Sequence, residues 1–142
     1  MFRRCLQGDA VGPWHVSAAV SDPGGEGRQL FTELSASAAV KGGGSTVAIL
    51  DDAALCDHVR RGACDIVLVG ADAVLSSGDV VNKVGTRALA EAAAAANVPV
   101  HVVCDEWKRW QHKYPPPMEA IFELVPARLI TGVVGMDDAI KN

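Results

Sequence analysis

The chain has 142 residues, enough for one domain with a buried core. Apolar residues make up 49% and charged residues 21%, which excludes an intrinsically disordered chain. A net charge of −4 argues against binding nucleic acid through a basic face, and there is no apolar run of the length a membrane span needs.

Residues 1–13 show no period and end at Gly12-Pro13, so they read as an irregular lead-in to a domain over 14–142. Arg3 and Arg4 precede no apolar stretch of secretory type. Cys5, Cys56, Cys64 and Cys104 form no CxxC pair. With no secretion signal they are expected to be reduced thiols of a cytoplasmic protein. Trp14 to Val20 is apolar and reads as the first strand, closed by the turn residues Ser21-Asp22-Pro23-Gly24-Gly25. Gly27 to Ala39 has helical spacing, with Leu30, Phe31, Leu34 and Ala38 on one face, and Lys41-Gly42-Gly43-Gly44 ends it. Thr46 to Leu50 reads as the second strand, and Asp52 as the N-cap of a helix to about Arg61, stopped by Gly62.

Ile66-Val67-Leu68-Val69 is a continuous apolar run, the pattern of a strand buried on both faces. Gly70 breaks it. A polar, glycine-punctuated loop is expected next, carrying Asp72, Asp79, Asn82 and Lys83. Gly85 to Ala96 is alanine-rich and helical, closed by Asn97 and Pro99. Val100 to Cys104 is the fourth strand. Asp105 to Tyr114 is polar and aromatic and ends in Pro115-Pro116-Pro117. Ile121 to Val125 and Leu129 to Val134 are the last apolar runs, separated by Pro126, and 137–142 reads as a short turn or loop. Strands alternating with helices predict an α/β fold, a doubly wound (Rossmann-like) parallel sheet of about six strands with helices on both faces.

In such a sheet, ligands bind outside the carboxyl ends of the strands. Asp72, in Gly70-Ala71-Asp72, falls there. It is a candidate proton carrier, or a turn aspartate that satisfies loop N–H groups. Asp79 follows Ser76-Ser77-Gly78 and reads as a turn residue. Asn82-Lys83 before the Gly85 helix start suits an anionic group such as a phosphate, drawn by the lysine and by free N–H groups. A solvated lysine beside a helix-capping asparagine is the structural alternative. Gly42-Gly43-Gly44-Ser45 lacks the lysine of a Walker loop, and no GxGxxG occurs, so no nucleotide cofactor is expected. His15, His58, His101 and His112 stand alone, so no metal is expected. Trp107-Lys108-Arg109-Trp110 could stack a ring, but packing on a neighbouring element or subunit is the favoured reading.

The stretch GADAVLSSGDVVNKVGT, followed by Leu89-Ala90, Val98-Pro99 and Val102-Val103, resembles the initiation factor 2B alpha/beta/delta family. That family also holds methylthioribose-1-phosphate isomerase and ribose-1,5-bisphosphate isomerase. Pro23, Gly27-Arg28, Thr46 to Asp51, Phe122 to Pro126 and Leu129-Ile130-Thr131 match in order, so the likeness spans about residues 14–135. The resemblance implies the family's C-terminal Rossmann-like domain. It makes Asp72 catalytic and places Gly70, Asn82, Lys83 and Gly85 at the substrate. The implied reaction is aldose–ketose isomerisation of a ribose phosphate, a proton moving between adjacent carbons. The alternative it implies is a non-catalytic regulatory or assembly module of translation initiation, binding a nucleotide or sugar phosphate and forming a homodimer or larger assembly. These 142 residues contain no counterpart of the family's helical N-terminal domain, Cys5 does not match its cysteine motif, and Asp22 stands where members carry a phosphate-holding arginine.

Overall fold

The computed structural model describes residues 13–21, 24–37, 44–112 and 115–135. Cys5, Asp22, Pro23, Ala38, Ala39, Gly42, Gly43, Tyr114 and the tail 137–142 lie outside them. The chain divides into two compact units, Met1–Leu55 and Cys56–Asn142.

In the first unit, β1 (His15–Ala19) and β2 (Thr46–Leu50) pair in parallel from His15↔Thr46 to Ala19↔Leu50. Parallel neighbours need a crossover, and α1 (Glu26–Ser35) supplies it, packing on both strands. The helix buries Gly27 and Leu34. Gly27 is demanded by space: a Cβ there would lie 1.6 Å from the Ala19 carbonyl oxygen. The Gly27 N–H donates to the Val20 carbonyl at 3.2 Å, so the helix starts directly against the end of β1.

The helix after β2, α2 (Asp52–Arg60), is capped by Asp51 and not by Asp52. The Asp51 Oδ1 accepts from the Ala54 N–H at 2.7 Å, while Asp52 accepts from the Ser21 N–H at 3.1 Å. Position three residues ahead of the donor favours the first of two adjacent aspartates.

The second unit holds two sheets. One is parallel, in the order β3 (Val67–Val69), β6 (Val100–Cys104), β9 (Gly132–Gly135). The other has the order β7 (Arg109–Trp110), β4 (Ala73–Leu75), β5 (Val80–Lys83), β8 (Phe122–Val125). In it β4 pairs with β7 in parallel and with β5 antiparallel, and β5 pairs with β8 antiparallel. The parallel strands of the described residues thus lie in sheets of two and three. The polar loop expected after Gly70 is instead a β-hairpin, β4 turning through Ser76–Asp79 into β5. Two adjacent valines, Val80 and Val81, are buried on opposite faces and hold it in the core. The last apolar run also divides: Ala127–Leu129 is a 3-10 turn, and the strand begins only at Gly132.

The helix α3 (Thr86–Ala95) packs on β3, on β8 and on the 3-10 turn Ala127–Leu129. Its small face, Ala90, Ala92 and Ala93, lets it approach Val67, Val69, Val80, Val100, Val102 and Val125 in one core. β3 alternates rather than burying both faces: Val67 and Val69 are 6% and 8% exposed, Ile66 and Leu68 48% and 40%. Strand starts are aligned by the Val67 N–H on the Pro99 carbonyl at 2.9 Å and the Thr131 N–H on the Val100 carbonyl at 2.8 Å. The carboxyl ends of β3 and β6 therefore emerge side by side, at Gly70 and Asp105.

Candidate functional site

Asp72 lies between β3 and β4, and its neighbours are fixed by strand register. β4 and β5 pair Ala73 with Val81, so one further step sets Asp72 opposite Asn82. The Asp72 N–H donates to the Val81 carbonyl at 2.8 Å, which continues the ladder to that point. On the other side, β4 and β7 pair Val74 with Arg109 and Leu75 with Trp110 in parallel, and the 3-10 turn Glu106–Lys108 leads directly into β7. The Lys108 Nζ lies 3.5 Å from the Asp72 Oδ1, and 4.6 Å from the centre of the Trp107 ring. Asp72 is exposed and Lys108 half-buried.

Asn82 and Lys83 stand on a strand, not in a loop, so their side chains leave opposite faces. Asn82 shares its face with Val80 and, across the pair with β8, with Glu123. That face meets the start of α3. The Asn82 Nδ2 donates to the Thr86 Oγ1 at 3.0 Å, and the Glu123 Oε1 accepts from the Arg87 N–H at 2.8 Å. Gly85 caps α3 with φ 103°, a left-handed value that favours glycine. One free N–H of the helix start is thus already taken by an internal carboxylate. Lys83 is half-buried on the Val81 side. Gly70 is half-buried, and a Cβ there would meet nothing within 4 Å.

Asp79 is a turn residue, as its sequence context indicates. Its Oδ2 accepts from the Ser77 hydroxyl at 2.8 Å, and its Oδ1 from the Ala127 N–H at 2.7 Å. It ties the hairpin turn to the 3-10 turn before β9. Trp107 does not pack away: it is 75% exposed. Trp110 meets His112 edge to face, ring centres 4.9 Å apart. The 3-10 turn Glu106–Lys108 is closed by the Lys108 N–H on the Asp105 carbonyl at 3.0 Å and by an Arg109–Glu106 ion pair. The sequence singles out Lys108 within the Trp107–Trp110 group but does not place it beside Asp72. Its place after the fourth strand was a usable signal, since that end adjoins the Asp72 strand.

Cys104 ends β6 beside this edge. Burial pushes its thiol above the ordinary 9.0, Arg109 pulling back and Asp105 adding to the rise. Burial raises Cys64 likewise, helped by Asp65. Among the described residues, no group of three His, Cys, Asp or Glu side chains is placed to hold a metal. No helix there is long and apolar enough to cross a membrane.

The described residues form an α/β fold with parallel sheets and helices, in which Asp72 follows the carboxyl end of β3 and has the Lys108 ammonium beside it. The chain belongs to the Initiation factor 2 subunit family, whose model matches residues 11–115. It is similar to the methylthioribose-1-phosphate isomerase of Gemmatimonas aurantiaca, 48% identical over 59 residues, which are 42% of this chain and 17% of that one. It is also similar to translation initiation factor eIF2B subunit alpha of Caenorhabditis elegans, 33% identical over 101 residues, 71% of this chain and 30% of that one. The chain therefore spans less than a third of either relative. The 5-methylthioribose 1-phosphate isomerase structure of Pyrococcus horikoshii OT3 superposes with a TM-score of 0.66 at 20% identity, over 85% of this chain and 40% of that one, and so shows the shared fold.

Proposed function

We propose that the edge formed by Asp72, Asn82 and the start of α3 is a sugar-phosphate site of aldose–ketose isomerase type. The observation that carries this reading is the Lys108 Nζ 3.5 Å from the Asp72 Oδ1, with the β4–β5 register setting Asn82 on the other side of Asp72. A carboxylate there can take a proton from one carbon of an aldose phosphate and return it to the next, as a general acid/base. Asn82 supplies an amide for sugar hydroxyls. Lys108 supplies positive charge for phosphate beside Asp72, and Gly70 leaves open space at the end of β3. The family relation to methylthioribose-1-phosphate isomerases favours ribose phosphates over other anions.

A thermal-shift series tests the site with the chain as it stands. Methylthioribose-1-phosphate or ribose-1,5-bisphosphate should raise the melting temperature, because a ligand of the folded state alone stabilises it by mass action. Lys108→Ala should reduce the shift. No shift with either compound, or an equal shift in Lys108→Ala, would remove the assignment.

A second reading is supported by a separate observation. Val84, Met118 and Ile121 are exposed, and the Val84 N–H bonds the Ile121 carbonyl at 2.9 Å, which brings two of the three together. An apolar group of this kind suits a homodimer contact of an assembly module. Light scattering should then give twice the chain mass at micromolar concentration, falling to the monomer in Ile121→Asp. A monomer mass for the unaltered chain would rule it out.

A further inference from the structure

We propose that Trp107 is a positioning residue of the Asp72 site, its indole face holding the Lys108 ammonium beside the Asp72 carboxylate. The inference rests on the reading of Asp72 as the proton carrier. An exposed lysine–aspartate pair is ordinarily weak, because the long lysine stem samples many rotamers and water competes for both charges. Three features oppose that here. The 3-10 turn and the β4–β7 register hold the Lys108 backbone alongside Asp72. The neighbouring cation, Arg109, is engaged by Glu106 and does not compete for Asp72. The Lys108 Nζ stands 4.6 Å from the Trp107 ring centre and 3.5 Å from the Asp72 Oδ1, so one rotamer satisfies both partners. An indole within about 6 Å of an ammonium attracts it through the ring quadrupole. This accounts for a tryptophan left 75% exposed where packing would have buried it.

The geometry is read without any ligand by NMR. The Lys108 ε-methylene protons should be shifted upfield by the indole ring current, and the shift should vanish in Trp107→Leu. An ordinary Lys108 resonance in the unaltered chain overturns the proposal. The functional consequence is read with methylthioribose-1-phosphate as the probe. Trp107→Leu should weaken its binding by about two- to fivefold, the worth of one exposed cation–π contact, and Trp107→Tyr should restore it. In a Lys108→Met background, Trp107→Leu should cost nothing further. An equal cost in both backgrounds would make Trp107 merely structural and overturn the proposal. If the unaltered chain binds no sugar phosphate, the site reading fails, while the ring-current comparison still decides whether Trp107 positions Lys108.

Discussion

Gly27 and Gly70 are both glycines at strand ends, and they make opposite predictions. Gly27 faces the Ala19 carbonyl with no room for a Cβ, so Gly27→Ala should destabilise the first unit by roughly 3 kcal/mol or more, seen as a lowered denaturant midpoint. Gly70 has open space beside it, so Gly70→Ala should leave the midpoint within about 0.5 kcal/mol of the parent. Any loss of sugar-phosphate binding in that variant is then a local effect at the site. Asp79 satisfies the Ala127 N–H and the Ser77 hydroxyl, so Asp79→Ala should cost roughly 1–2 kcal/mol in the same assay. Two thiols, the buried Cys104 and the half-buried Cys64, set an alkaline limit. Cys104 and Cys64 have folded values raised above 9.0, so their neutral forms favour the fold below that pH. Above it the unfolded chain releases these protons and the folded one retains them, so stability should fall as pH rises through 9. Cys104→Ser and Cys64→Ser together should flatten that part of a pH–stability curve.

At the scale of elements, what could be read in advance depended on contrast with the flanking residues. Thr46 to Leu50 and Val100 to Cys104 are apolar runs between turn residues, and both are strands with those bounds. The β4–β5 hairpin escaped because Ala73–Leu75 is three residues long and the rest is punctuated by Ser, Gly and Asp. Its strand character comes from partners far along the chain, β7 and β8, not from local pattern. The same cause hid the place of Lys108 beside Asp72. Asp72 and Asn82 could be singled out because they share one motif, whereas Lys108 joins them only through the β4–β7 register. The α3 start was legible as a source of N–H groups, but its internal acceptor was not. Glu123→Gln should weaken the contact with the Arg87 N–H and lower stability by about 0.5–1 kcal/mol, since a charged acceptor at a helix start is favoured.

For the whole molecule, family membership and the sheet-edge geometry support one another. The first unit presents a parallel pair joined by α1, the second a parallel trio with a mixed hairpin sheet whose helix carries the alanine face. Asp72, Asn82, Lys83 and Lys108 all belong to the second unit. The direct test of this account is ketose formation from methylthioribose-1-phosphate by the purified chain and by Asp72→Asn. The account predicts that ketose accumulates with the unaltered chain and that its rate falls on the order of a hundredfold or more in Asp72→Asn, the loss expected for a general acid/base. No ketose from the unaltered chain, or an equal rate in Asp72→Asn, would contradict it.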